Sequence, residues 1–310
     1  MLIEESKAFI QGHFAEFLEL EKTFMILVTG SPGNIGTPLS HHLLRQGRKI
    51  RLMVRNPKKQ DQVVADLQSH GAEIVQGDFA DSGSLAHCFT GVESAFLLVP
   101  VALETAEWKG NFVRAAEQNG VQRIVNLSVS GASSTTPIDL FRMHWEAEQT
   151  LESSGIAWTH LQPTDLARFN IRSILPTVEE QGAFYSSIGQ GRVALVDEED
   201  VAEVAVAALT ENGHEGKKYV LTGPKAMSYP EIADALANKL GRPVKYVDID
   251  PAQAKKAMVA AGLPAWVADF INDLRELEKS GGASGPTGDI QRLLGRAPRT
   301  LEESIDATLA

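Results

Sequence analysis

From residue 24 onward the apolar positions follow two alternating rhythms. Short apolar or two-fold alternating runs read as strands: FMILVTG (24–30), RKIRLMVR (48–55), AEIVQGD (72–78), ESAFLLVP (93–100), VQRIVNLSVSGAS (121–133) and IAWTHLQP (156–163). Between them, apolar positions three to four apart read as helices: SHHLLRQG (40–47), KKQDQVVADLQSHG (58–71), a short SGSLAHCFTG (82–91), LETAEWKGNFVRAAEQNG (103–120) and DLFRMHWEAEQTLESSG (139–155). These five segments stop at Gly47, Gly71, Gly91, Gly120 and Gly155, where a chain leaving a helix enters the left-handed conformation. Strands that alternate with helices pair in parallel through right-handed crossovers. The expected fold class is therefore α/β, a doubly wound parallel sheet, with ligands beyond the carboxyl ends of its strands.

The rhythm weakens after residue 164, and 165–190 carry few regular signals. A strand RVALV (192–196), a helix DEEDVAEVAVAAL (197–209), a strand KYVLTG (218–223), a helix SYPEIADALANKLG (228–241), a strand VKYVDID (244–250) and a helical PAQAKKAMVAAG follow. Asp197 with Asp200 is a partial capping signal, and Ser228 with Glu231 a full capping box. The Gly- and Ser-rich stretch 279–289 reads as a flexible loop. This gives a main α/β domain over 24–163. A smaller C-terminal α/β lobe over 164–310 returns at least one strand to the main sheet. Residues 1–23 form an acidic extension with helical spacing of Ile3, Ile10, Phe14, Phe17 and Leu18. It reads either as a helix docked on the body or a partner subunit, or as an upstream extension ahead of Met25.

Charge narrows the function. Of 310 residues, 29 are Lys or Arg and 40 are Asp or Glu, a net charge of −11. That balance argues against nucleic acid or an anionic membrane as a partner. No apolar run is long enough to span a bilayer. The one cysteine, Cys88, excludes an internal disulfide and a Cys-based zinc site; it reads as a small buried hydrophobe, and a cytoplasmic location is expected. His41, His42, His70, His87, His160 and His214 show no metal-ligand spacing, so no metal is expected.

An anion can still be held locally. TGSPGNIG (29–36) follows the first strand and opens the first helix, with Gly30, Gly33 and Gly36 three apart. Such a turn lets a pyrophosphate approach the backbone and meet unpaired N–H groups at a helix N-terminus. Gly30, Ser31, Gly33, Asn34, Ile35 and Gly36 are therefore candidate dinucleotide contacts. A preference for NAD usually needs an acid at the end of the second strand. This chain has MVRNPKK there, so Arg55, helped by Lys58 or Lys59, is expected to pair with a 2′-phosphate and favour NADP(H) over NAD(H). A solvated surface charge is the alternative for Arg55. Asp78 and Phe79 fall beside the expected adenine pocket, and Leu98, Val99 and Pro100 beside the nicotinamide ribose. Ser128, Pro163 and His144 complete the cofactor edge.

These residues carry a resemblance. ILVTGSPGNIG, VRNPKK, GDFAD, GVESAFLLVP, RIVNLSVSGAS, HWEAEQTLESSGIAWTHLQP, DEEDVAEVA and YVLTGP resemble the NmrA-like, atypical short-chain dehydrogenase/reductase family over roughly residues 24–250. The chain looks most like the quinone oxidoreductase and triphenylmethane-dye reductase types. The resemblance implies a Rossmann-like NADP-binding domain with a small substrate lobe. Residues 1–23 depart from the family's usual start.

The Tyr-x-x-x-Lys pair of typical short-chain reductases is absent. Tyr185, Tyr219, Tyr229 and Tyr246 are followed four positions on by Gly189, Gly223, Ala233 and Asp250. In the matching helix Leu140 takes the Tyr position and His144 the Lys position. Reduction of a quinone or similar conjugated acceptor tolerates that loss, because hydride transfer creates a delocalised anion of low basicity. His144 shares a helical stripe with Leu140, Ala147 and Leu151 and is the leading catalytic candidate. Its ordinary pKa suits proton donation near neutrality, with Glu148 one turn on to stabilise the imidazolium. Tyr185 is an alternative acid. Met143, Thr164, Phe169, Asn170 and Tyr185 are expected to wall the substrate pocket. The rival expectation is a non-catalytic NADP(H) sensor acting through protein partners. Helix 103–120 or the N-terminal segment offers a surface for a homodimer, which nothing in the sequence forces.

Overall fold

The computed structural model describes residues 24–59, 61–282 and 285–310; the extension 1–23, expected to be helical, lies outside the described residues. Seven strands form one parallel sheet in the order β3-β2-β1-β4-β5-β6-β9. They are β1 (Met25–Val28), β2 (Lys49–Val54), β3 (Glu73–Gln76), β4 (Val92–Leu97), β5 (Arg123–Leu127), β6 (Ala157–Pro163) and β9 (Lys217–Leu221). The order reverses between β1 and β4, which opens the crevice where such sheets take their ligands.

Helices cover both faces because the strands are apolar on both. On one face α1 (Gly36–Arg45), α2 (Gln62–Ser69), α6 (Glu198–Thr210) and α10 (Asp289–Leu294) bury Leu39, Leu43, Leu67, Val201 and Ile290 against Ile26, Val28 and Leu52. On the other, α3 (Thr105–Gln118) and α4 (Asp139–Glu152) bury Phe112, Val113 and Leu151 against Leu27, Ala95 and Ile124. Cys88 lies in that second core, fully buried, and burial pushes its thiol up to about 11. The five stop glycines all have positive φ, and the caps at Asp197 and Ser228 form as expected.

The expected helix over 82–91 is instead two single 3-10 turns, Ser82–Ser84 and Ala86–Phe89. Of RVALV only Arg192–Val193 pairs as a strand, β8, with an isolated bridge from Val196 to Leu166. The larger correction is in 165–190, which is regular: α5 (Ala167–Gln181) leads into β7 (Ala183–Ser186). Helix α5 has no side-chain cap of its own and carries Pro176 inside it, so no local signal marks it. Its first-turn N–H groups of Arg168 and Phe169 are capped from outside by the Glu198 carboxylate at 3.0 and 2.8 Å. With α5 and β7 pack β8, β10 (Met227–Ser228), α7 (Tyr229–Leu240), β11 (Lys245–Asp248), α8 (Pro251–Ala260), α9 (Ala265–Lys279) and α11 (Leu301–Leu309). Their core is a separate apolar cluster around Ile171, Phe184, Leu236 and Ile305.

Candidate functional site

The carboxyl ends of β1, β4, β5 and β6 converge at one edge. Thr29 joins the first two: its hydroxyl accepts the Leu98 N–H at 2.8 Å and lies within bonding distance of the Phe96 and Leu98 carbonyls. The glycine turn then folds back on itself. Gly30 has φ +76°, and a Cβ there would lie 2.6 Å from Leu98 Cδ2. A Cβ on Gly33 or Gly36 would lie 2.5 Å from the Gly30 carbonyl oxygen. The middle glycine is thus required by the turn's own backbone as well as by any phosphate. Helix α1 begins at Gly36 without a side-chain cap; Thr37 donates to the Gly33 carbonyl at 3.1 Å and Pro38 has no N–H, which leaves Gly36 as the first-turn N–H open to an outside acceptor. Asn34, in the turn, accepts from the Arg172 guanidinium at 2.8 Å.

Two buried hydroxyls at this edge have no hydrogen-bond partner among the described residues: Ser31 Oγ after β1 and Ser128 Oγ after β5. Buried polar atoms left this way mark an outside ligand or water. Arg55 is exposed, and its guanidinium bonds to no described residue. Leu98 and Val99 are partly buried at the end of β4, and Pro100 is exposed. The Pro163 carbonyl accepts the Ser130 N–H, tying the end of β6 to the loop after β5. Asp78 is half-buried, with one carboxylate oxygen accepting the Ala80 N–H. Phe79 departs from its expected place. It is 9% exposed and packs on Phe112 with ring centroids 5.9 Å apart, so it is core rather than a platform for a ring.

His144 stands beside the end of β5, but in surroundings the sequence reading does not supply. Its Nδ1 faces the ammonium of Lys109, 3.2 Å away. Lys109, on α3, is 1% exposed and also donates to Asn126 Oδ1 at 2.8 Å and to the Leu127 carbonyl. Burial lowers the Lys109 ammonium to about 7, partly opposed by the charge of Glu148. His144 is driven well below the usual histidine range, first by burial and then by the Lys109 charge. Both effects act against the expected imidazolium. Glu148 does not face it either: its two oxygens accept from Gln162 at 2.8 Å and Lys218 at 2.7 Å. Lys109 itself had a legible signal. It falls on the apolar stripe Thr105, Lys109, Phe112, Val113, Ala116, all buried, and a cation on such a stripe needs a partner.

The expected pocket residues are not assembled equally. Tyr185 lies on β7 in the lobe, 44% exposed, with its hydroxyl donated to Gln181. Nothing joins it to His144. The Thr164 hydroxyl donates to the Ala194 carbonyl at 2.6 Å, and Asn170 donates to Asp165 and Leu166, so both are committed to holding the lobe. Phe169 leaves its ring 57% exposed, and Met143 is half-buried next to His144. An open depression of about 630 Å³ lies on the outer side of the turn, lined by Asn34, Thr37, His41, Arg45, Arg168 and Arg172 among others. Neither His144 nor Ser128 lines it.

Two histidines do meet carboxylates, contrary to the spacing argument: His42 with Glu199 and Glu203, and His160 with Glu148 and Glu152. Each group already holds side-chain cations. Lys218 lies 2.7 and 2.8 Å from Glu148 and Glu152, and Arg296 and Arg299 pair with Glu203. Among the described residues no helix is long and apolar enough to cross a membrane.

The sequence and fold have known relatives. The model of the NmrA-like family matches residues 22–308. An NAD(P)H azoreductase of Xenophilus azovorans is 34% identical over 92% of this chain and 98% of its own length. Quinone oxidoreductase 2 of Escherichia coli is 30% identical over 91% and 97%. A crystal structure of the NADPH-dependent quinone oxidoreductase QOR2 of Escherichia coli complexed with NADPH superposes with a TM-score of 0.82 at 29% identity, covering 92% of this chain and all of that one. With the parallel seven-stranded sheet and the glycine turn at its switch point, these matches establish that the chain belongs to the NmrA-like family.

Proposed function

We propose that this protein is an NADPH-dependent reductase that passes a hydride to a quinone or similar conjugated acceptor, without a Tyr–Lys dyad. It is an NAD(P)H-dependent oxidoreductase of the Rossmann-like type, and its cofactor is NADP(H). The observation that carries this reading is the meeting, at one sheet edge, of the glycine turn and His144, whose Nδ1 lies 3.2 Å from the Lys109 ammonium. The residues fit the cofactor. Gly30, Gly33 and Gly36 leave the turn open to a pyrophosphate, and the orphaned hydroxyls of Ser31 and Ser128 await partners. Arg55, whose guanidinium has no partner among the described residues, is open to take the 2′-phosphate. When bound, the dinucleotide supplies the hydride.

The chain's own part is positioning and proton supply. Lys109 donates to Nδ1, so the His144 ring carries its proton on Nε2. That N–H is the donor offered to the oxygen of a reduced acceptor, whose low basicity asks little of it. Met143, beside His144, and the exposed ring of Phe169 are the apolar surfaces proposed to align the acceptor plane, since orientation supplies much of such a rate. The family's azo and quinone reductases reduce conjugated acceptors of this kind.

Oxidation of NADPH against a panel of benzoquinones, naphthoquinones and azo dyes tests the proposal. Turnover above the uncatalysed rate with at least one acceptor is expected, and His144→Ala is expected to lower kcat by about 100-fold, the low end for a lost proton donor. No turnover with any acceptor, but tight NADPH binding, would favour the NADP(H) sensor instead. Arg55 is tested separately. Removing one charge-assisted phosphate contact costs about 1.5–3 kcal/mol. Arg55→Ala should therefore weaken NADPH binding by roughly 10- to 100-fold and leave NADH nearly unchanged. Equal affinity of the wild type for both cofactors refutes the assignment.

A further inference from the structure

The buried polar chain behind His144 has an order of donors and acceptors. Lys218 anchors Glu148 and Glu152 at 2.7 and 2.8 Å. His160 Nε2 lies 3.4 Å from Glu152 Oε1 without a formed hydrogen bond, and the charge of that carboxylate favours the tautomer with the proton on Nε2. His160 Nδ1 then accepts from Asn126 Nδ2 at 3.0 Å. This fixes the Asn126 amide with Oδ1 toward Lys109, whose ammonium donates to it at 2.8 Å and to His144 Nδ1 at 3.2 Å. His160 is held neutral, pushed down to about 3 by burial and then by the Lys218 charge. Asn126, Glu148 and His160 are each 1% exposed or less. No described residue accepts from His144 Nε2, and that ring is only half-buried. Donation therefore runs outward from Lys109 in two directions, through Asn126 to His160 on one side and to His144 Nδ1, beside the open end, on the other.

We propose that Lys109 is the positioning residue and proton store of the site: it fixes the Nε2–H tautomer of His144 and passes a proton to Nδ1 as Nε2 gives its own to the reduced acceptor. The proposal rests on the reading of His144 above, and the protons balance. The Nε2–H bond of His144 breaks as an O–H bond forms on the acceptor anion. An Nζ–H bond of Lys109 breaks as Nδ1–H forms, leaving an amine on Lys109 and the opposite tautomer on His144. A proton from water, entering at Nε2, restores both. Three acceptors face Lys109, namely Asn126 Oδ1, the Leu127 carbonyl and His144 Nδ1, so the ammonium uses all its donors. The amine form has two donors and a lone pair, and it is satisfied only if Nδ1 carries the proton.

The titratable groups facing Lys109 are His144 and Glu148 from α4 and His160 from β6, with Glu152 and Lys218 one step beyond. Of these, Lys109 is the group placed near neutrality, at about 7. The proton store is full below that pH and empties as pH rises through it. The rate constant kcat is therefore expected to fall as pH rises from 6 to 8.5.

The decisive experiment is nitrogen-15 NMR of the histidine side chains in the wild-type protein without substrate, with His144 assigned by its loss in His144→Gln. The expected result is an unprotonated Nδ1 and a protonated Nε2 at pH 6, changing toward Nδ1–H as Lys109 titrates. In Lys109→Met the pH-dependent change should vanish. With an acceptor that turns over, kcat at pH 6.5 should drop about tenfold in this variant and lose its pH slope. Lys109→Arg should restore the tautomer at pH 6 but not the slope, because a guanidinium stays charged. A wild-type His144 that carries its proton on Nδ1 at pH 6, or that titrates as an ordinary imidazolium, overturns the proposal. This readout needs no turnover, so an absence of reductase activity would count against the proposed function alone.

Discussion

Asp197→Ala is expected to destabilise the fold by about 3 kcal/mol, more than a single surface contact can account for. Asp197 is fully buried at the start of α6, yet its carboxylate serves three elements. It caps its own helix through the Glu199 N–H at 2.8 Å. It takes a two-pronged bond from Arg168 on α5 at 2.9 and 2.8 Å. It also accepts the Ser304 hydroxyl of α11 at 2.6 Å. Truncation leaves a guanidinium, a hydroxyl and a helix-end N–H without their acceptor. Breaking a buried pair from one side costs about 3–5 kcal/mol, and losing a cap about 1 kcal/mol. Arg168 is 21% exposed and can turn to water, which places the total at the low end of the range. Urea denaturation of the variant checks this; a loss below ~1 kcal/mol would show that the junction of α5, α6 and α11 is held by apolar packing instead.

Gly36→Ala should weaken NADPH binding by more than about 100-fold, even though Ala is the better helix former. The propensity gain is about 1 kcal/mol. Against it, the new Cβ would sit 2.5 Å from the Gly30 carbonyl oxygen and 2.7 Å from its carbon. Both are backbone atoms that a rotamer change cannot move. Either α1 shifts outward or the turn opens, and both displace the N–H groups proposed to meet the pyrophosphate. Overpacking of this kind costs about 1–3 kcal/mol, and the lost geometry adds to it, so sterics win over propensity. Fluorescence titration with NADPH measures the loss, and far-UV circular dichroism confirms that the sheet persists. A dissociation constant within about threefold of the wild type would mean that the turn is more yielding than its contacts indicate.

Much of the fold is legible because its signals are local. The apolar runs at 24–30 and 93–100, the stop glycines and the capping box at Ser228 each act within a few residues, and each appears where the pattern puts it. Helix α5 is the counter-example. Its N-terminus is capped by Glu198, about thirty residues on, and Pro176 interrupts its pattern. The same distinction runs through the site. The glycine spacing announces a phosphate cradle because the turn's constraints are contained within the turn.

Lys109, His144, Asn126 and His160 lie on four different elements, and only their packing brings them into one chain of donors. Residue by residue the sequence offers His144 as an ordinary titrating group with Glu148 as its partner. Burial reverses both expectations. The partner is a cation 35 residues away, and burial together with that charge lowers the ring's pKa and disfavours its charged form. The sequence by itself thus determines the sheet, its glycine turn and the absence of a Tyr–Lys pair, which depend on residue type and short spacing. Tertiary structure alone decides the protonation of His144 and the role open to Lys109, because pKa and tautomer are set by neighbours distant along the chain.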